Sequence, residues 1–189
     1  MFARDIEYKN MTLEEKYKKE VVPKMKEKFG FKNDFSVPGI EKVVVNVGIG
    51  SAVASKDEKA RESIEKDITL ITGQKPLVTL AKKAIAAFKT REGMPVGLKV
   101  TLRGKRMYDF ISRLINVVLP RTRDFRGLNS KSIDVDGNLS IGIKEHLIFP
   151  EISQEDIRRI FGLEITVVTH IKNKEQALEL YKLIGFPVK

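Results

Sequence analysis

Lysine and arginine are the residue types of this chain whose number and spacing predict chemistry most directly. Between Ile71 and Lys131 the chain carries fourteen of them and only three acids, Glu92, Asp109 and Asp124. The flanking parts are close to neutral, with fourteen bases against thirteen acids before this block and seven against nine after it. Like charges on a compact surface repel one another, whereas each phosphate that they neutralise releases counterions and strengthens binding. The block therefore predicts a nucleic-acid partner, and RNA in particular.

Two glycine-containing segments resemble nucleotide-binding loops, but each lacks residues that such a loop needs. Gly48 and Gly50 follow an apolar run, yet the dinucleotide fingerprint requires a third glycine where this chain has Val53. The segment 72–75 (TGQK) lacks the earlier glycine and the following Ser or Thr of a phosphate-binding loop. The first segment is better explained as a strand-end turn, and the second as a helix stop followed by a cation.

Histidine, cysteine and carboxylate residues give little support to catalysis. The chain has no cysteine, and its two histidines, His146 and His170, stand without metal-ligand spacing. Most carboxylates occur among lysines in helical patterns, as on a solvated face. We therefore predict a protein that is not an enzyme and needs no metal or cofactor. Two alternatives remain open: a free-standing RNA- or DNA-binding regulator, and an enzyme that binds a phosphorylated substrate on the same basic residues.

Length, hydrophobic content and the N-terminal residues are typical of a cytosolic globular protein. A chain of 189 residues with 42% hydrophobic residues can bury a core, and it fits a single domain over residues 1–189. No run approaches eighteen apolar residues, and the charged N-terminus lacks the apolar segment of a signal peptide. We therefore expect a cytoplasmic protein without a membrane partner.

Hydrophobic periodicity and stop residues predict four helices and three clear strands. The helices are expected over residues 12–29, 57–72, 107–118 and 175–184, and the strands over 42–47, 98–103 and 165–171. Thr12 and Glu15 have the spacing of a capping box. Pro23 should kink or split the first helix, and the third helix should stop before Pro120.

The order of these elements predicts the fold class. After the first helix the order is β-α-β-β-α-β-β-α, with a hairpin at 136–138 and a short helical turn from Ser153. This order indicates an α+β fold with one mostly antiparallel sheet and helices packed on one face. In the strand over 98–103, period two turns Lys99, Thr101 and Arg103 away from the apolar side. The face without helices should therefore be basic and face the RNA.

Several longer motifs resemble those of one known family, in the same order and at the same spacing. They are ITGQKP at 71–76, AKKAIAAFK at 81–89, VTLRG at 100–104, LPRTRDFRG at 119–127 and IFPEI at 148–152. With the strands that begin near residues 41 and 165, they resemble the bacterial ribosomal protein that carries 5S rRNA, the fifth of the large-subunit series. The resemblance covers nearly the whole chain.

This resemblance implies a structural, RNA-binding constituent of the large ribosomal subunit. Such a protein binds 5S rRNA and attaches it to the central protuberance, contacts the P-site tRNA, and bridges to a small-subunit head protein, the thirteenth of that series. Further partners that it implies are 23S rRNA and other 5S-associated ribosomal proteins. Matching positions imply that 5S rRNA is bound by Asn46, Gln74, Lys75, Thr79, Thr101 and Arg103.

A protruding loop at about 81–92 resembles the tRNA-contacting loop of the family, and it implies tRNA contacts for Lys82 and Lys83. Helix propensity alone favours a helix over this Ala-rich segment, but the resemblance implies an extended loop, which we prefer because propensity is a weak guide. In the hairpin, Asp136 stands where the family commonly has arginine. The basic segment 121–126 also fits phosphate contact, but its target stays open.

Overall fold

The fold is described here from a computed structural model, which covers residues 11–50, 58–88, 90–123, 125–153, 159–170 and 173–189. Its helices and its five-stranded antiparallel sheet confirm the predicted α+β class. Within these residues no helix is long and apolar enough to cross a membrane. The helical turn expected from Ser153 falls on residues 154–158, which lie outside the described ranges.

The strands and helices follow one another in the predicted order. The strands are β1 (Ile40–Gly48), β2 (Leu77–Leu80), β3 (Pro95–Leu102), β4 (Leu139–Ile143) and β5 (Leu163–Thr169). The helices α1 (Leu13–Phe29) and α3 (Gly104–Arg121) each contain a π-helical turn, whereas α2 (Glu58–Thr72) and α4 (Lys174–Ile184) are regular. In the sheet the strands lie in the order β2-β3-β1-β5-β4, and β3 pairs antiparallel with both β2 and β1.

Helix α1 begins at the predicted capping box and passes through its proline. The Glu15 N–H donates to the Thr12 hydroxyl at 3.3 Å, and the Thr12 N–H donates to the Glu15 carboxylate at 3.1 Å. Pro23 does not split the helix, because the π-helical turn Tyr17–Val21 lies directly before it. A wider turn relieves the clash between a proline ring and the carbonyl four residues back.

Helix α3 also has a π-helical turn before its proline. It consists of Gly104–Arg113, the π-helical turn Leu114–Val118 and a last turn, Leu119–Arg121. The Leu119 N–H donates to the Leu114 carbonyl, five residues back. The prediction that this helix stops before Pro120 is therefore wrong, because the π-helical turn lets the chain stay helical through the proline.

Glycines end the other helices where the sequence predicts. Gly30 and Gly185 cap α1 and α4 in the left-handed conformation, with φ of +70° and +118°. Gly73 follows α2 with φ of +68°. L side chains rarely adopt this backbone conformation, so glycine is the least strained residue there.

The predicted hairpin is also present, because the Asn138 N–H donates to the Asp134 carboxylate at 2.8 Å.

The chain packs as two compact units, each with its own apolar core. The sheet unit comprises Val43–Leu102 and Ser140–Thr166, and the helical unit comprises Met1–Lys42, Arg103–Leu139 and Val167–Lys189. In the sheet unit, α2 contacts β3 and buries four apolar side chains: Ala60, Ile64, Ile68 and Ile71. In the helical unit, α1 contacts both α3 and α4. The single domain expected over residues 1–189 stays a prediction.

Candidate RNA interface

The two faces of the sheet unit differ in burial, although Val44 of the second face is also buried. Along β1 and β3, Val43, Val45, Val47, Leu98, Val100 and Leu102 are buried. Each such side chain contributes about 1.5–3 kcal/mol by leaving water. The opposite face carries the residues in between, and the register pairs Asn46 with Lys99, and Lys99 with Leu77. We call this second set the polar face, and its members are Val44, Asn46, Leu77, Thr79, Lys99 and Thr101.

The polar face holds three of the residues matched to 5S rRNA. Asn46, Thr79 and Thr101 are all half-buried on it, and Lys99 is exposed between them. Thr79 lies across from Gly97, and a Cβ at Gly97 would come within 2.7 Å of the Thr79 hydroxyl and 3.1 Å of the Val47 carbonyl. Glycine at this position therefore lets β2 and β1 approach β3 closely, which fixes Thr79 beside the other polar side chains.

Gln74 reaches the same strand from the turn between α2 and β2. Its side-chain amide donates to the Thr101 carbonyl at 3.3 Å. The turn itself is held by Thr72, whose hydroxyl lies 2.7 Å from the Ile68 carbonyl and accepts from the Gln74 N–H at 3.3 Å. The structure therefore brings Gln74 and Thr101 together, and their contact with 5S rRNA stays a prediction.

The Lys75 side chain lies near α2, whereas the side chain of Gln74 reaches β3. Its ammonium lies 3.7 Å from the Glu65 carboxylate of α2, the helix that contacts the apolar side of β3. The Lys75 side chain is 83% exposed, so this pair is worth little and leaves the ammonium accessible to a partner. Its contact with 5S rRNA stays a prediction, but the structure does not place it among the side chains of the polar face.

Arg103 belongs to the helical unit and directly precedes α3. Its guanidinium donates to the Glu41 carboxylate at 3.0 Å, and the side chain is 57% exposed. The hydrogen bond from Arg103, followed by one from Lys42, holds the pKa of Glu41 below its usual range. This ion pair is exposed and is worth little, so the guanidinium stays accessible to a partner, and its contact with 5S rRNA stays a prediction.

The loop between β2 and β3 presents Lys82 and Lys83 as expected. Both are exposed, and the described residues of the segment form no α-helix but only a short 3₁₀ turn, Ala86–Phe88. Its base is closed by the Ala81 N–H, which donates to the Met94 carbonyl at 2.8 Å. Closer to the tip, Ile85 and Thr90 exchange two backbone hydrogen bonds. The backbone hydrogen bonds thus form a hairpin-like loop with two exposed cations.

Lys99 lies on the polar face but is not among the positions that motif matching assigned to 5S rRNA. The period-two pattern of β3 already places it beside Thr101, and the register places it opposite Asn46. Of the six side chains of the polar face it alone is charged. Between Leu77 and Leu102 the chain carries five bases and one acid, so this part of the sheet unit suits a polyanion.

The two histidines lie in different surroundings. The His146 ring is buried and stacks on Phe161, with ring centroids 3.9 Å apart, and burial lowers its pKa despite the Asp67 carboxylate at 3.8 Å. His170 is exposed and follows β5, one residue after the strand ends. Among the described residues no group of histidine and carboxylate side chains is arranged to hold a metal ion.

Comparison with known proteins decides the family. A model described as "Ribosomal protein L5" matches residues 33–91, and a second model, for the C-terminus of the same ribosomal family, matches residues 95–188. The chain belongs to the ribosomal protein L5 family. Curated L5-family relatives, each called large ribosomal subunit protein uL5, confirm this over almost the full length.

The relatives come from diverse bacteria and align nearly end to end. The protein of Dictyoglomus turgidum is 55% identical over 94% of this chain and 98% of its own length. That of Halothermothrix orenii is 54% identical over 93% and 97%, and that of Kosmotoga olearia is 51% identical over 96% and 98%. This L5-family chain is therefore a cytoplasmic, structural constituent of the large ribosomal subunit and not an enzyme.

Proposed function

We propose that this chain binds 5S rRNA through the polar face and attaches it to the central protuberance of the large subunit. The observation that carries the proposal is the polar face itself, where Asn46, Lys99 and Thr101 lie on the side opposite the apolar core. Membership of a large-subunit family supports an rRNA partner for such a surface.

The chemistry of the polar face fits RNA bound by shape and backbone. Short amide and hydroxyl side chains can exchange hydrogen bonds with 2′-hydroxyls and base edges in the shallow minor groove of A-form RNA. The ammonium of Lys99 supplies charge for a nearby phosphate, and phosphate contacts position a protein without reading sequence. The Asn46 and Gln74 amides, which both donate and accept, are then the side chains suited to selecting 5S rRNA.

The loop at 81–92 and the rest of the chain supply the remaining contacts of the proposal. Lys82 and Lys83 contact the backbone of the P-site tRNA, and the exposure of both ammonium groups supports this contact. The chain also bridges to the head protein of the small subunit, and it lies among 23S rRNA and the other 5S-associated proteins. Motif matching supports these partners.

A salt titration tests 5S rRNA binding. We expect the chain to bind 5S rRNA at least about tenfold more tightly than an unrelated duplex of equal length at moderate salt. Both affinities should fall steeply as salt rises, because several phosphates are neutralised. Filter binding or fluorescence anisotropy across a salt series measures this. Equal affinity for both RNAs would contradict the proposal and favour a general nucleic-acid-binding protein.

A double substitution tests whether the loop and the polar face bind different RNAs. Replacing Lys82 and Lys83 by alanine should leave 5S rRNA affinity within about twofold, because neither side chain lies on the polar face. In assembled ribosomes the same change should weaken P-site tRNA binding by roughly threefold to tenfold, since two phosphate contacts are lost. Lys59→Ala with Lys66→Ala, two exposed bases of α2, is the matched control. A larger loss of 5S rRNA than of tRNA would refute this division.

A further inference from the structure

His146 is a buried titratable side chain that the proposed function does not use. It lies in the sheet unit, in the 3₁₀ turn His146–Ile148 that follows β4, and none of it is exposed. Its ring stacks on the buried ring of Phe161, with an angle of 10° between the two planes. We call the contact between the His146 ring and the ring and backbone of Phe161 the histidine clip.

Two hydrogen bonds of the histidine clip join a residue that follows β4 to a residue that precedes β5. The His146 N–H donates to the Phe161 carbonyl at 3.1 Å, and the Phe161 N–H donates to His146 Nδ1 at 3.4 Å. Beside them, a Cβ at Gly162 would lie 3.0 Å from the Ile143 carbonyl. The backbone at the end of β4 therefore lies close to the backbone at the start of β5, and the imidazole takes part in that contact.

The geometry of the histidine clip requires a neutral ring with its proton on Nε2. The reason is that Nδ1 accepts the hydrogen bond from the Phe161 N–H, so Nδ1 carries no proton. Nε2 is buried, has no hydrogen-bond partner among the described residues, and lies 3.8 Å from the Asp67 carboxylate of α2. Phe161 covers the ring without bringing a charge, and Lys144 and Glu145, next to His146 in sequence, are exposed. Asp67 is thus the charged group that faces the ring.

Protonation of the ring would remove one of the hydrogen bonds of the clip. An imidazolium donates from both nitrogens and accepts at neither, so the Phe161 N–H would lose its acceptor. A charge would also be buried, and Asp67 would offset that cost only in part, because its carboxylate lies beyond hydrogen-bond distance. Burial accordingly lowers the pKa of His146, although Asp67 and the Phe161 backbone act in the opposite direction. The closed clip therefore binds protons less readily than the open one.

We propose that the histidine clip is an acid-sensitive fastening of the sheet unit, which opens when the His146 ring is protonated. In the open state His146 and Phe161 separate, and the ring reaches water. Because the open state takes up a proton more readily, the stability that the clip contributes is complete above the ordinary histidine pKa of about 6.5. That stability is lost as the pH falls below this value. The inference does not depend on which RNA the chain binds.

Imidazole NMR of the full chain tests the protonation of the ring directly. The chain has two histidines, so a long-range ¹H–¹⁵N spectrum shows two rings, and the His170→Gln variant assigns them. At pH 7.5 the His146 ring should carry its proton on Nε2 and accept a hydrogen bond at Nδ1. Its titration midpoint should lie below that of the same ring in the urea-unfolded chain. A proton on Nδ1, or a midpoint at or above that of the unfolded chain, would overturn the inference.

Hydrogen exchange of the Phe161 amide measures how often the clip opens. After correction for the intrinsic exchange rate, its opening constant should rise at least about threefold between pH 7.5 and pH 5.5, with a limit of about tenfold for one proton. In His146→Gln it should change less than about twofold, because glutamine does not titrate and its amide oxygen can accept from the same N–H. His170→Gln removes an exposed histidine and should behave like the parent chain.

A variant of α2 provides a second test that keeps His146 in place. Asp67→Asn removes the charge that favours the imidazolium, so the opening constant of the Phe161 amide should rise more on acidification than in the parent chain. Glu62→Gln, at an exposed position of α2, is the matched control and should leave the rise unchanged. A smaller rise in Asp67→Asn, or the same rise in the parent chain and in His146→Gln, would overturn the inference, because another group would then be the acid-sensitive one.

Discussion

Replacing Lys99 by glutamate should lower the affinity for 5S rRNA roughly a hundredfold at moderate salt. Lys99 is the one charged side chain of the polar face and lies opposite Asn46. The change removes one favourable phosphate contact and adds a repelling carboxylate at the same place, so its effect exceeds that of a neutral substitution. Anisotropy titration of labelled 5S rRNA at several salt concentrations measures the loss, which should shrink as salt screens the repulsion.

The matched control reverses the same charge on the other side of the sheet unit. Lys66 is exposed on α2, the helix that contacts the apolar side of β3. Lys66→Glu should lower 5S rRNA affinity less than about fivefold, since only the overall charge changes near the RNA. Neither side chain is buried, so the urea midpoints of both variants should equal that of the parent chain. Similar losses of affinity for the two variants would show that the polar face is not the 5S interface.

Local patterns in the sequence predicted the elements of this fold well. The capping box at Thr12, the glycine stops at Gly30 and Gly73, and the period-two alternation of β3 each depend on neighbours only a few residues away. Pro120 does not end its helix, and Pro23 does not split its helix. Pro23 and Pro120 both sit inside helices, because a π-helical turn precedes each of them. The local rule that a proline ends a helix does not include such a turn.

The candidate site could be predicted only in part, because the pairing of the strands cannot be read from the sequence. Period two put Lys99 and Thr101 on one face, but only the register shows that Asn46 and Leu77 flank Lys99. Lys75 follows Gln74 directly, yet its ammonium lies near Glu65 while the Gln74 amide reaches the Thr101 carbonyl. Contacts with α2 and β3 determine the direction of each side chain in this turn. Motif matching does not include these contacts, so it treats Gln74 and Lys75 alike.

Replacing Tyr181 by phenylalanine should destabilise the helical unit by about 1–3 kcal/mol, because it removes a buried donor and keeps the ring. The Tyr181 hydroxyl lies 2.9 Å from the Gly137 carbonyl of the hairpin and 3.1 Å from the Val167 carbonyl of β5. Burial raises the pKa of this phenol, so it stays a neutral donor throughout the physiological range. The ring packs edge-on against Phe186, and phenylalanine preserves that contact.

Two further variants show whether the hydrogen bond accounts for the loss. Tyr108 is half-buried and its hydroxyl has no hydrogen-bond partner among the described residues, so Tyr108→Phe should change the urea midpoint very little. The Gly137 carbonyl also accepts from the Thr169 hydroxyl at 3.1 Å. Thr169→Val combined with Tyr181→Phe should therefore cost more than the sum of the single changes, since the carbonyl loses both side-chain donors. Strict additivity would mean that the two donors do not share this carbonyl, and the stability of the hairpin would then rest on Asp134 and Asn138 instead.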